Sequence, residues 1–185
     1  MTGLLMLDLF SGLGGASRAM KERGWVVITV DNNPEFHPDI CMDIREFKWT
    51  LYKTDLIWAS PPCDDFAKYS FPESWACNRG GKKIPDLTLA YETKRIINDS
   101  KPRFWVVENV AGAKDFFNEI FGPLQKKVGS RYLWGDFPIF DTNPVYGKWK
   151  QPPAKDRKAT RAKIPKGISL ALAMAIEHEL APRMG

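Results

Sequence analysis

The sequence predicts an α/β fold in which a mostly parallel sheet is covered by helices. Short apolar runs recur along the chain and stop abruptly at polar or turn-forming residues, as strands buried on both faces do. The first run leads into a glycine-rich turn and a helical stretch, which is the opening unit of a nucleotide-binding sheet. At 185 residues, 44% of them hydrophobic, the chain is long enough to bury one core.

The opening unit begins with an apolar run over residues 4–10 that predicts a buried strand and carries one acid, Asp8. Gly12 and Gly14 then let the backbone turn tightly and approach a ligand close to the start of a helix. A carboxylate at this strand end would repel a pyrophosphate. A cationic or zwitterionic group, such as the amino acid end of a methionine derivative, therefore suits the site better.

Two later acids stand where strands are predicted to end. The β-rich run over residues 25–30 leads to Asp31, about twenty residues beyond the glycine turn, where such folds hold ribose hydroxyls. A solvated turn acid is the alternative interpretation of Asp31. A short element over residues 39–44 leaves Asp43 beside the apolar Ile44, as an adenine site requires.

A fourth strand end points to chemistry. The apolar run 56–59 stops at Ser60, Pro61 and Pro62, and two consecutive prolines cannot continue a strand ladder. The next residue, Cys63, is held by this stiff turn at the sheet edge where ligands bind. Its thiol is a candidate nucleophile if its surroundings lower its pKa or stabilise charge on its target. A small buried hydrophobe is the alternative interpretation of a lone cysteine.

The run over residues 104–110 predicts another buried strand, and it contains Glu108. A carboxylate in a dry region must be paired or functional, so Glu108 is either half of a structural ion pair or a catalytic acid.

The remaining segments are less regular. Residues 64–85 predict a loop without secondary structure of its own, and Asp86 is a candidate cap for the helix that follows. One face of that helix is apolar and comprises Leu89, Thr93, Ile96 and Ile97. Residues 131–138 predict a strand and a turn, and residues 168–180 an amphipathic packing helix.

The charge balance is compatible with a polyanionic partner. The net charge is +5, and residues 148–166 contain eight Lys or Arg against one acid, which suits either a solvated surface or phosphate contacts. The cysteine pattern predicts reduced thiols and a cytoplasmic location, because the three cysteines form no CxxC pair. A zinc site from His37, Cys41 and Cys77 matches no standard spacing, so we expect no metal. No run has transmembrane length and no signal peptide is recognisable, so no membrane association is expected.

Taken in order, these motifs resemble the DNA (cytosine-5) methyltransferase family. The matching segments are residues 8–15, Asp31, Asp43, residues 61–63 and residues 108–110. The resemblance implies a Rossmann-like, S-adenosylmethionine-dependent methyltransferase sheet with flanking helices. It also implies a single catalytic domain over residues 1–185, with the cofactor and catalytic core in 1–122. Residues 123–185 would hold the rest of the sheet, the basic segment and the last helix, with residues 164–169 as the candidate for the family's final motif.

The resemblance also assigns roles. The nine residues expected to bind the cofactor are Asp8, Phe10, Gly12, Gly14, Asp31, Asn32, Asp43, Ile44 and Pro61. Asp31 would hold the ribose, and Asp43 the adenine amino group. Cys63 would attack C6 of a cytosine flipped out of a DNA duplex, while protonated Glu108 stabilises the developing charge at N3. Asn109, Arg157 and Arg161 are the residues expected to bind the substrate.

Two departures from the family pattern bear on activity. Asp64 and Asp65 follow Cys63 where the family has glutamine, and two acids beside a thiol disfavour its thiolate. The stretch from Gly112 to Ile164 is too short for the family's separate target-recognition domain. We therefore expect a short target sequence, or recognition supplied by a second subunit. The residues left to contact the flipped base and its neighbours are Lys68, Tyr69, Phe71, Trp75 and Arg79.

Three other functions fit part of the pattern. An RNA cytosine-5 methyltransferase would use the same chemistry, and a catalytically weak relative would only bind nucleic acid. A dinucleotide-dependent oxidoreductase is disfavoured, because GxGxxG is absent and Cys63 with Glu108 has no role in hydride transfer.

Overall fold

The computed structural model describes residues 3–49, 53–74, 81–142 and 164–181. These residues form one mixed sheet whose strands are β1 (Leu5–Leu9), β2 (Val26–Asp31), β3 (Ile40–Cys41), β4 (Leu56–Ala59), β5 (Phe104–Asn109), β6 (Lys126–Val128) and β7 (Arg131–Asp136). The strand order is β3-β2-β1-β4-β5-β7-β6. The first five strands are parallel, whereas β7 runs antiparallel to both β5 and β6. The carboxyl ends of β1, β2, β4 and β5 therefore meet at one edge of the sheet.

Helices cover both faces of this sheet. They are α1 (Arg18–Glu22), α2 (Asp64–Tyr69), α3 (Thr88–Ser100), α4 (Lys114–Phe121) and α5 (Lys166–Leu180), with 3-10 turns at Pro34–Phe36 and Ala111–Ala113. None of the helices within the described residues is long and apolar enough to cross a membrane.

The sheet is apolar on both faces because alternate residues of each strand enter different cores. On β1, Leu7 and Leu9 face the core that contains Phe117 of α4, while Met6 faces the core that contains Leu172 of α5. The last helix is also joined to the first unit by polar contacts. The Glu177 carboxylate accepts hydrogen bonds from the Arg23 guanidinium and from the Trp25 indole N–H.

The predicted α/β class is confirmed, and the strands at residues 5–9, 26–31, 56–59 and 104–109 lie where the apolar runs place them. The structure differs in two segments. The prediction that residues 64–85 lack regular structure is wrong for residues 64–69, which form α2. The Phe66 ring of α2 packs edge-on against Phe117, with ring centroids 5.2 Å apart, and this long-range contact stabilises a helix too short to be stable alone. The third element shortens from residues 39–44 to the two residues of β3.

Candidate active site

The turn after β4 carries the candidate nucleophile. Cys63 is half-buried and stands at the residue that precedes α2. The turn is tied to the end of β5, because the Asn109 side chain donates a hydrogen bond from Nδ2 to the Pro61 carbonyl at 3.0 Å. The same amide accepts a hydrogen bond from the backbone N–H of Val110 at 2.9 Å. Asn109, which the sequence predicts to bind substrate, is thus 1% exposed and engaged in holding the nucleophile's turn.

The helix that follows Cys63 is held by a backbone-to-backbone contact. A Cβ atom placed on Gly112 would lie 2.0 Å from the carbonyl oxygen of Phe66 in α2. Only glycine lets the 3-10 turn Ala111–Ala113 approach α2 this closely. The sequence contains no signal for this requirement beyond the glycine itself.

We expect Gly112→Ala to lower the free energy of unfolding by about 2 kcal/mol or more, because the backbones must separate. Methyl transfer should fall at least about tenfold, since α2 carries Cys63 at its start. The control is Gly167→Ala in α5, where a Cβ meets nothing within 4 Å. That variant should be as stable as wild type or up to about 1 kcal/mol more stable. Thermal melts and activity assays of both variants test the contact, and equal behaviour of the two would contradict it.

Glu108 lies beside this turn on β5. The pairing of β4 with β5 places Ala59 opposite Val107, so Ser60 and Glu108 continue the same register. The Glu108 side chain is 5% exposed, and its Oε1 accepts a hydrogen bond from Arg131 Nη1 at 3.0 Å. Burial raises the pKa of Glu108, while Arg131 and the Ser60 hydroxyl oppose that rise. The carboxyl is therefore paired, yet it remains easier to protonate than an ordinary glutamate.

Arg131 is a site residue that our sequence analysis missed. It is the first residue of β7, and because β7 is antiparallel, this beginning lies at the edge where β5 ends. The available signal was an arginine that follows the Gly129-Ser130 turn and opens an apolar strand. The residues proposed instead, Arg157 and Arg161, lie outside the described residues, as do Trp75, Cys77, Arg79 and most of the basic stretch 148–166.

The electrostatic environment of Cys63 favours the thiol in the protein alone. Burial raises the pKa of Cys63. The negative charges of Glu108 and Asp64 raise this pKa further, whereas the positive charge of Arg131 lowers it. The prediction that an acid after the cysteine disfavours the thiolate is thus confirmed for Asp64. Protonation of Glu108 would remove one of the two negative charges that act on the thiol.

A pocket open to solvent adjoins the turn on the side of β1 and β2, with about 710 Å³ of empty space when the solvent at its mouth is included. It is lined by Phe10, Val30, Asp31, Asn32, Met42, Asp43, Ile44, Arg45, Pro62, Asp86, Thr88 and Leu89. Five of the predicted cofactor residues are brought together here, namely Phe10, Asp31, Asn32, Asp43 and Ile44. Pro61 is buried and does not line this pocket, whereas its neighbour Pro62 does. Contact of Pro61 with a cofactor stays a prediction.

The two acids of the pocket are fixed by different partners. Asp31 accepts backbone hydrogen bonds from Gly12 and Asn33, each at 2.9 Å, so it also closes the glycine turn. Gly12 and Gly14 have φ angles of 49° and 66°, which glycine adopts without strain. Asp43 forms a two-point pair with Arg45, with distances of 2.9 and 2.6 Å, and this pair lowers the pKa of Asp43 to about 2.

Asp8 lies outside this pocket. Its side chain is 1% exposed on the sheet face that it shares with Met6, whereas Val30 and Ile44 of the pocket belong to the opposite core. Its Oδ2 has no hydrogen-bond partner among the described residues. Burial raises the pKa of Asp8 to about 7, against the opposing effects of Ser17 and Lys21. Contact of this carboxyl with a cofactor stays a prediction.

The buried charge on Asp8 should cost stability at alkaline pH. Because the folded-state pKa lies above the ordinary value of 3.8, the folded protein binds this proton more tightly, and stability falls as pH rises from about 4 to about 7. We expect Asp8→Asn to raise the free energy of unfolding by about 1–2 kcal/mol at about pH 8, with no gain at about pH 4. Urea melts at both pH values measure this. A variant less stable than wild type at about pH 8 would show that the ionised carboxyl is favourable there.

Part of the predicted base-contacting loop is described. The Tyr69 ring packs edge-on against Phe116, with centroids 5.2 Å apart, and the Lys82 ammonium lies 5.4 Å from the Tyr69 ring centroid. Across residues 3–49, 53–74, 81–142 and 164–181, no group of three or more His, Cys, Asp or Glu side chains could hold a metal ion.

Comparison with known proteins gives a consistent result. Residues 4–126 match the model of the family described as C-5 cytosine-specific DNA methylase. A protein of Frog virus 3, described as a probable DNA (cytosine-5)-methyltransferase, is 27% identical over 215 residues, covering 90% of this chain and 97% of its own length. The type II methyltransferase M.HindV of Haemophilus influenzae is 29% identical over 126 residues, covering 58% of this chain.

The fold has a solved counterpart as well. A prophage-encoded protein (E.coli) described as a DNA modification methyltransferase superposes with a TM-score of 0.50 at 21% identity, covering 72% of this chain. The present chain spans 38% of the length of M.HindV and 47% of this solved chain. The match over residues 4–126 includes the glycine turn, Asp31, Asp43, Cys63 and Glu108. On this ground, the chain belongs to the C-5 cytosine-specific DNA methylase family.

Proposed function

We propose that this chain transfers a methyl group from S-adenosylmethionine to C5 of cytosine in DNA, with Cys63 as the covalent nucleophile. The observation that supports this proposal is that Cys63 lies within the electrostatic influence of the buried Glu108–Arg131 pair. The same sheet edge carries a pocket lined by the carboxylates of Asp31 and Asp43. A structural ion pair alone would not require a thiol and a ligand-sized pocket at the same sheet edge.

The residues suit the steps of such a reaction. Cytosine C5 is a poor nucleophile until the Cys63 thiolate adds to C6, which sends electron density toward C5 and N3. Glu108, with a pKa raised by burial, can hold a proton to higher pH than an ordinary glutamate and donate it to N3. Arg131 keeps a positive charge beside the ring that becomes electron-rich. After methylation, loss of the C5 proton to solvent re-forms the C5–C6 double bond as the Cys63 sulfur leaves C6, and N3 returns its proton to Glu108.

The pocket fits the proposed methyl donor. Phe10, Ile44 and Leu89 offer apolar surface for an adenine ring. Each Asp31 oxygen accepts one backbone hydrogen bond and retains a lone pair for a ribose hydroxyl, and Asp43 remains an acceptor for the adenine amino group. S-adenosylmethionine held by these residues would supply a methyl group that its sulfonium makes electrophilic.

The proposal also covers the DNA substrate, the extent of the catalytic domain and the cellular location. The target cytosine must leave the duplex, because C6 is hidden in stacked DNA. Asn109, Arg157 and Arg161 are the proposed substrate contacts, and selectivity would come from a short sequence or from a second subunit. We keep residues 1–185 as one catalytic domain, since β6 and β7 complete the same sheet and α5 packs on α1. A cytoplasmic location would keep the Cys63 thiol reduced.

The decisive assay offers the purified chain labelled S-adenosylmethionine with random-sequence duplex DNA, structured RNA or free cytosine nucleotides. We expect labelled 5-methylcytosine in DNA, within a context of two or three bases and with steep loss of activity as salt rises. Methylation of RNA alone would favour the RNA enzyme, and nucleic-acid binding without methyl transfer would favour the non-catalytic relative. Calorimetry with S-adenosylmethionine and with NAD separately tests the cofactor.

A further inference from the structure

Ser60 contacts two groups of the site that the proposed mechanism does not yet connect. Its Oγ accepts a hydrogen bond from the Trp58 indole Nε1 at 2.8 Å. Its side chain lies next to Glu108, because the register that pairs Ala59 with Val107 continues to Ser60 and Glu108. The Ser60 hydroxyl also opposes the rise in the pKa of Glu108. Ser60 thus lies between a core tryptophan of β4 and the candidate acid of β5.

We propose that Ser60 is a positioning residue for Glu108, acting through a hydrogen-bond relay that runs from Trp58 through Ser60 to the carboxyl. The inference rests on the proposed function, since it gives Ser60 a role in the same reaction. The serine neither touches the reacting atoms nor transfers a proton in it.

The direction of the relay follows from donor chemistry. An indole N–H can only donate, so the Ser60 oxygen must be the acceptor in its contact with Trp58. The hydroxyl proton is thereby left to point at Glu108, whose ionised carboxyl can only accept. Trp58 is 0% exposed within β4, so the origin of the relay is fixed by core packing.

The relay completes a two-sided hold on the carboxyl. Arg131 Nη1 reaches Oε1 from β7, and the Ser60 hydroxyl approaches from β4 on the other side of β5. Donors from two neighbouring strands define the plane of the carboxyl, so a rotation about its terminal bond would weaken at least one hydrogen bond. With its carboxyl plane fixed, Glu108 can donate a proton to N3 of a flipped cytosine that enters from outside the sheet edge.

The relay also bears on protonation. Burial raises the pKa of Glu108, and the Ser60 hydroxyl opposes this rise together with Arg131. Cys63 is also affected by the protonation of Glu108, because the Glu108 charge raises the pKa of Cys63. Removing the Ser60 donor should therefore raise the pKa of Glu108 further, because the ionised form loses a hydrogen bond.

The test uses Ser60→Ala, with Ser60→Thr as the matched variant that keeps the hydroxyl. For Ser60→Ala we expect kcat to fall about tenfold, while KM for DNA and the affinity for S-adenosylmethionine stay close to wild type. The alkaline limb of the rate profile should move to higher pH, and Ser60→Thr should recover most of kcat. Ser60→Ala should also melt a few degrees lower, because the buried Trp58 indole N–H loses its acceptor, whereas Ser60→Thr should melt close to wild type. Both variants are therefore assayed well below their melting temperatures.

A second readout does not depend on activity. The side-chain carboxyl carbon of Glu108 can be titrated by NMR in protein labelled with ¹³C-glutamate, with Glu108→Gln to assign the resonance. We expect a higher titration midpoint in Ser60→Ala than in wild type and a near wild-type midpoint in Ser60→Thr. An unchanged midpoint in Ser60→Ala would overturn the inference, as would an equal loss of kcat in both variants. A wild-type chain that methylates nothing would refute the proposed function, while the titration would still decide the role of Ser60.

Discussion

Cys63→Ala is expected to abolish methyl transfer while leaving the affinity for S-adenosylmethionine within about twofold of wild type. The substitution removes the nucleophile that must add to C6, and no other described side chain with a thiol adjoins Glu108. The fold should survive, because the Cys63 side chain makes no capping hydrogen bond at the start of α2. The pocket should also survive, because its wall is formed by Pro62 and not by Cys63.

The covalent step can be observed directly. DNA that contains 5-fluorocytosine has no C5 proton to lose, so the adduct formed by the wild-type chain should accumulate and survive denaturing electrophoresis. Cys63→Ala should form no such adduct. Cys41→Ala is the matched control, since Cys41 is the other described cysteine, is exposed and lies at β3, away from Glu108. Methylation by Cys63→Ala at about a tenth of the wild-type rate or more would refute covalent catalysis by this residue.

The placement of Asp31, Cys63 and Glu108 could be predicted from the sequence for a simple geometric reason. Parallel strands end at the same edge of a sheet, so residues that follow successive apolar runs converge without any knowledge of their side-chain contacts. The structure places all three at or just beyond the ends of β2, β4 and β5. The local pattern carries this information because a buried strand is bounded by the residues that stop it.

The elements that the sequence did not predict depend on contacts between distant residues. Helix α2 is stabilised by Phe66 packing on Phe117, and the need for Gly112 comes from a neighbouring carbonyl. Arg131 was missed because the residues of β7 do not show whether this strand runs parallel or antiparallel to β5. An arginine at the start of an antiparallel strand reaches the edge where parallel strands finish. Ser60 was identified only as part of a turn, because its position beside Glu108 follows from the register of β4 and β5 and not from the residues around it.

Arg131→Ala is expected to lower kcat/KM about 10²–10³-fold near neutral pH, the loss typical of a removed charge-stabilising donor. The substitution shifts two pKa values in the same direction, with opposite effects on the rate. Arg131 opposes the raised pKa of Glu108 and the raised pKa of Cys63, so its loss raises both. Glu108 then keeps its proton to higher pH, but Cys63 forms its thiolate only at higher pH as well. The site also loses one of the two donors that hold the carboxyl plane.

The pH dependence separates these contributions. If the thiolate population limits the variant, its rate should recover partly as pH rises, and the limb assigned to Cys63 should move to higher pH. Arg131→Lys should fall between wild type and alanine, because an ammonium restores the charge without the planar two-point geometry of a guanidinium. Full activity in Arg131→Lys would show that charge alone is required.

Arg103 provides the matched control for the loss of an arginine. It lies immediately before β5, at the opposite end from Asn109, and its Nη1 is 3.1 Å from Asp55 Oδ1 in a partly exposed ion pair. Arg103→Ala should change kcat/KM by less than about twofold and the free energy of unfolding by less than about 1 kcal/mol. Equal losses in Arg103→Ala and Arg131→Ala would mean that removing either arginine acts through stability. A large loss confined to Arg131→Ala, with unchanged binding of S-adenosylmethionine, would place the effect in the reaction with cytosine, because the pocket is lined by other residues.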